Sequence, residues 1–150
     1  MLETGSRQPF ALAAAECDRL EARLARALAR ARSSGHETLA TISTPLPADI
    51  DPAEVVCASR RPGEHWFLFE QPDRGRAALA SLGEVVALRS SGAQRFNVVA
   101  ERWRALAAHA LSDPSTEPDG AGPVAVGGFA FAEEGGRAPH WQGFEPASLS

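Results

Sequence analysis

The chain has 150 residues, 44% of them apolar and 23% charged, with a net charge of −4. That length fits one domain or part of a larger one, and the composition is that of an ordinary globular protein. The negative balance speaks against general nucleic-acid binding, which leans on a positive field, and no run approaches the ~20 apolar residues of a membrane span.

Residues 1–10 carry Gly5, Ser6 and Pro9 and are expected to form a disordered start, leaving 11–150 as the folded part. Phe10–Ala15 is apolar but flanked by Glu3 and Glu16. It falls short of a secretory leader, which needs about 7–15 apolar residues after a basic start. Ala11–Arg32 is built from Ala, Leu, Arg and Glu and predicts a long helix. Leu20, Leu24 and Leu28 recur at i, i+4 and i+8, with Leu12 and Cys17 near the same stripe. Ser33-Ser34-Gly35 ends it, Gly being suited to a left-handed cap.

Thr38–Thr44 alternates and is rich in Thr and Ile; it predicts a strand stopped by Pro45 and Pro47. Asp51-Pro52 opens a short helix, and Pro62-Gly63 a turn. His65–Gln71 predicts a strand with Trp66 and Leu68 on one face and Phe67 and Phe69 on the other, so that both faces are expected to be covered. Pro72-Asp73-Arg74-Gly75 has the chemistry of a tight turn. Arg76–Leu82 fits helix or strand, Glu84–Arg89 a strand, and Ser90-Ser91-Gly92 a turn. The pairing of 65–71 with a strand in 76–89 is an expected antiparallel hairpin.

Asn97–Leu111 predicts a second amphipathic helix, with Val99, Trp103, Leu106 and Ala110 as its stripe. Ser112–Gly122 is a surface loop by its Pro, Gly, Asp and Ser content. Gly122–Phe131 (GPVAVGGFAF) then reads as a buried strand through Val124, Val126, Phe129 and Phe131, in which Gly127-Gly128 marks a bulge or a close backbone approach. Gly135-Gly136 turns the chain, and the tail through Trp141, Phe144 and Leu149 is apolar without a clear period. Four or five strands in hairpin-type order predict an α+β class with a mixed, mostly antiparallel sheet and two main helices, rather than a doubly wound parallel sheet. Two long helices are few for strands that look buried on both faces, which fits a sheet whose remaining partners lie outside these residues.

No residue is assigned a catalytic, cofactor-binding or metal-ligating role. His36, His65, His109 and His140 lack the i, i+4 spacing of a helical metal pair, and partly buried or surface roles are expected. Glu133-Glu134 are adjacent, so on a strand they point to opposite faces and cannot share one acid–base site; a solvated strand end is expected. The Gly127-Gly128 pair lacks the spacing of a phosphate loop, and no Gly-x-Ser-x-Gly elbow is present. Arg19, Arg23, Arg26 and Arg30 run along the first helix near Glu16 and Glu21 and predict a solvated face. Cys17 and Cys57 are widely separated and predict small buried free thiols, consistent with a cytoplasmic location.

The Gly-Gly-Phe-aromatic run resembles the strand that closes the N-terminal region of isochorismate synthases in the chorismate-binding enzyme family. Thr38–Pro47 (TLATISTPLP), Arg61–Pro72 (RPGEHWFLFEQP), Leu82–Leu88 (LGEVVAL), and Arg95-Phe96 followed by Trp103 fit the same resemblance in the same order. It covers most of residues 36–145 and rests on that order, no single motif being diagnostic. The resemblance implies an incomplete part of the chorismate-utilising fold, cut before the catalytic portion, with a structural role for this segment. It also implies chorismate as substrate and Mg2+ as cofactor, both held by a C-terminal portion. There a lysine deprotonates the water that attacks the ring, a glutamic acid protonates the departing hydroxyl, and magnesium neutralises the carboxylate. None of those residues is matched here, and all fifteen basic residues are Arg. The implied whole is an isomerase serving menaquinone or siderophore synthesis, with this chain inactive alone. Anthranilate, aminodeoxychorismate and salicylate synthases share the catalytic fold. The alternative is a free-standing small α+β binding or interaction module without catalysis.

Overall fold

The computed structural model describes residues 11–73, 77–114, 122–136 and 138–150. The fold is α+β, with antiparallel sheets, and divides into two units, Pro45–Val85 and Ala14–Thr44 with Val86–Ser150.

Helix α1 (Ala14–Ser34) belongs to the second unit; in the first, the chain enters α2 (Pro52–Ser59). Asp51 caps it by accepting the Ala53 N–H at 2.8 Å, and Pro52 sits where its missing N–H costs nothing. Val56 is the buried residue of α2, which packs on a hairpin of β1 (Trp66–Gln71) and β2 (Ala77–Leu82). The register runs from Trp66 opposite Leu82 to Gln71 opposite Ala77, which settles Arg76–Leu82 as strand over its described part. Part of the expected Pro72–Gly75 turn lies outside the described residues. The two faces of β1 are not sealed: Trp66 and Phe69 are half exposed.

The second unit holds α1 (Ala14–Ser34), β3 (Leu88–Ser90), α3 (Arg95–His109), β4 (Gly127–Phe129) and β5 (Ala147–Leu149). Gly35 ends α1 in the left-handed region (φ 73°), its N–H bonding the Ala31 carbonyl at 2.9 Å. Strand β5 lies between β3 and β4 and is antiparallel to both. The core is Leu88, Val99, Leu106 and Ala147, with Leu39, Val86, Trp103 and Leu149 packed around it. The stripe expected on α3 is thus the one that is buried.

Further expectations need correction. Thr38–Thr44 is extended but makes a single parallel bridge, Ala40 to Leu111, through the Thr41 N–H to Leu111 O (2.9 Å) and Leu111 N–H to Leu39 O (2.8 Å). One partner residue after α3 is too short to build a ladder. Glu84–Arg89 is not one strand, since only Leu88–Ser90 joins a sheet. The Gly-Gly-Phe run is not buried: Val124 and Phe129 are half exposed and Phe131 is fully exposed, because β4 is a three-residue edge strand and nothing among the described residues covers its outer side. Both cysteines are exposed free thiols. Cys57 follows buried Val56, one step of about 100° round the helix, and Cys17 lies off the inward line of α1.

Candidate functional site

Gly127 explains why the paired glycines are there. A Cβ on Gly127 would lie 1.9 Å from the Ser148 carbonyl oxygen, so β4 and β5 approach as only glycine permits. Gly128 has nothing within 4 Å of the same position. The pair therefore serves packing at its first member.

Arg95 opens α3 from an unusual place, a cation in the first turn where the helix dipole disfavours it. The residue is 4% exposed. One terminal nitrogen donates to the Gly92 carbonyl at 3.1 Å, and the other donates to the Ala130 and Phe131 carbonyls at 3.0 Å each. The guanidinium carbon lies 4.2 Å from the centre of the Phe96 ring, and Phe96 meets Phe129 at 5.0 Å between ring centres. Arg95 Nε is buried and has no hydrogen-bond partner among the described residues. Arg95 thus ties the start of α3 to the segment that leaves β4, and the aromatic rings around it face outward.

The second polar centre is Asp113. Arg23 of α1 donates to Oδ1 at 2.5 Å; Arg19 and the Ser43 N–H donate to Oδ2 at 2.8 and 2.7 Å. Arg23 also donates to the Thr41 carbonyl. The Arg23 hydrogen bond, then the Ser43 amide, holds the carboxyl at about 2, well below the usual carboxylate range. Arg23 is accordingly not on a solvated face. The inward line of α1 is Leu20, Arg23 and Ala27, and Leu24 and Leu28, one residue further round, are 50% and 52% exposed. Sequence reasoning missed Asp113, placed in a loop; its one local signal is a carboxylate directly before Pro114, at the end of a helix.

The remaining candidates stay apart. His36 and His109 stack at 4.9 Å, joining the segments that follow α1 and end α3. His65 Nδ1 lies 3.7 Å from Glu84 Oε2, and His140 lies against Trp141. Glu133 and Glu134 form an exposed turn, as a solvated strand end would. In the first unit, Asp49, Asp51 and Glu70 line a depression of about 530 Å³, but Asp51 is committed to its cap. Among the described residues no three His, Cys, Asp or Glu side chains converge to hold a metal ion. No described helix is long and apolar enough to cross a membrane.

Comparison with known proteins supplies the family. The model of the family described as "Chorismate binding enzyme" matches residues 26–150. The chain belongs to the chorismate-binding enzyme family. One curated relative, the "Salicylate biosynthesis isochorismate synthase" of Pseudomonas aeruginosa, is 34% identical over 103 residues, covering 67% of this chain and 19% of the relative. The chain therefore spans about a fifth of the length of the curated relative it matches. No solved structure matches it. The family match takes in Arg95, Asp113 and the Gly127 crossing, and it begins within α1, after Arg23.

Proposed function

We propose that this chain is the N-terminal, scaffold-forming part of an isochorismate synthase, a cytoplasmic isomerase that converts chorismate to isochorismate for menaquinone or siderophore synthesis. The observation that carries this reading is the 34% identity to an isochorismate synthase within a family match running through most of the chain. The residues support a structural share in that activity. The chain has no lysine to act as base; Arg95 is engaged with backbone carbonyls, and Asp113 with Arg19, Arg23 and the Ser43 amide. In this reading the base, the acid and the magnesium ligands belong to polypeptide outside the 150 residues, and so does the contact with chorismate.

The test is product analysis. The 150 residues, incubated with chorismate and magnesium, are expected to yield no isochorismate, while the polypeptide encoded by the whole reading frame yields it. Isochorismate from the 150 residues alone would refute the assignment of catalysis elsewhere. Anthranilate or aminodeoxychorismate from the whole frame would move the chain to a sister activity. No turnover by either would favour a free-standing binding module.

A further inference from the structure

We propose that the outward leucine face of α1 is a self-docking surface, on which α1 of a second copy of this chain lies antiparallel. The inference is independent of the reaction that the chain serves.

Helix α1 carries two lines that point in different directions. Leu20, Arg23 and Ala27 turn inward, while Cys17, Leu24 and Leu28 are exposed. At about 100° per residue these last three fall within roughly 40° of one another, so they form one outward stripe. Scattered exposed apolar residues are ordinary; a stripe at helical spacing is the form that packs against another helix. The face straddles residue 26, where the family match begins, so it is not confined to what the family shares.

The occupant follows from the charges beside the stripe. Glu21 and Arg32 are exposed and lie within about 20° of each other round the helix, on one flank of the leucines. Neither has an ion-pair partner among the described residues. When Leu24 of each copy lies against Leu28 of the other, the two-fold axis passes level with residue 26. Glu21 and Arg32 then stand on opposite sides of that axis, at levels that differ by one residue, about 1.5 Å. Glu21 of each copy therefore faces Arg32 of the other. A parallel pair would put the two flanks on opposite edges of the seam, so the match selects the antiparallel arrangement. The other charges divide in the same way. Asp18 precedes Leu24, Arg26 and Arg30 follow it, and Arg19 and Arg23 are already held by Asp113. An interface one helix long is small, so the association expected is weak and reversible.

The experiment is analytical ultracentrifugation of the protein encoded by the whole reading frame, from low micromolar to submillimolar concentration. Expected is a reversible monomer–dimer equilibrium. Glu21→Arg and Arg32→Glu should each weaken it about tenfold, and Leu28→Ser by a similar factor. The double exchange, Glu21→Arg with Arg32→Glu, should restore the parent's equilibrium, because it remakes both pairs in reverse. All three positions are exposed, and the parent's own concentration series decides the matter if a variant fails to fold. A parent that stays monomeric throughout overturns the proposal; hydroxyl-radical protection of Leu24 and Leu28 in that monomer would give the face to the protein's own polypeptide. A dimer indifferent to the three single substitutions overturns the face. A double exchange as weak as the singles overturns the antiparallel register.

Discussion

Arg23 and Asp113, ninety residues apart in the chain, meet at 2.5 Å and fix which side of α1 faces the second unit's interior. The contact turns Arg23 and Ala27 inward and leaves Leu24 and Leu28 half exposed, against the reading that a leucine stripe makes by itself.

The Asp113 carboxyl is held at about 2 in the folded protein, below its ordinary 3.8. A depressed carboxylate contributes stability that is fully present above the unfolded value and is lost as pH falls through the folded one. An Asp113→Asn variant should melt lower than the parent at pH 6. The gap in Tm should shrink as pH falls from about 4 toward about 2. Thermal unfolding by circular dichroism at a series of pH values checks this, and a gap that stays constant down to pH 2 would contradict the clamp.

Gly127 and Gly128 are neighbours with opposite tolerance. Gly127→Ala forces a Cβ onto the Ser148 carbonyl, a backbone atom that moves only with β5. We expect a loss of about 1–3 kcal/mol or more in urea unfolding, the range of overpacked cores. Gly128→Ala meets open space and should stay within about 0.5 kcal/mol of the parent.

Two leucines separate core from surface. Leu106 is 7% exposed and belongs to the central cluster, so Leu106→Ala should cost roughly 2–5 kcal/mol. Leu28→Ala removes a side chain already half in water and should cost under about 1 kcal/mol in the 150-residue chain. Equal losses in denaturant titrations would show that the leucine stripe of α1 is buried after all.

Arg95→Met keeps most of the volume and removes the donors. The Ala130 and Phe131 carbonyls lose the guanidinium, at a cost of about 1–3 kcal/mol for each buried acceptor left unmet, while the Gly92 carbonyl keeps the backbone N–H of residue 95. Hydrogen exchange should speed first at residues 127–131 and then in β5. A uniform change across α3 and the sheet would mean that Arg95 acts only through general stability.

The α+β class, the three helices, the hairpin of β1 and β2 and the buried stripe of α3 were legible in the sequence, because caps, turns and period-3.6 patterns act within a few residues. So was the close approach at Gly127, and so was the family, through the order of short segments. Only the tertiary structure decided which face of α1 turns inward: Arg23 meets Asp113 ninety residues away, while Leu24 and Leu28 stay half exposed among the described residues. It also decided that Thr38–Thr44 makes one bridge, that Cys17 and Cys57 are exposed, and that the aromatics of the Gly-Gly-Phe run face outward. Local sequence states what a segment prefers to bury; whether a partner surface stands opposite is set by residues far along the chain.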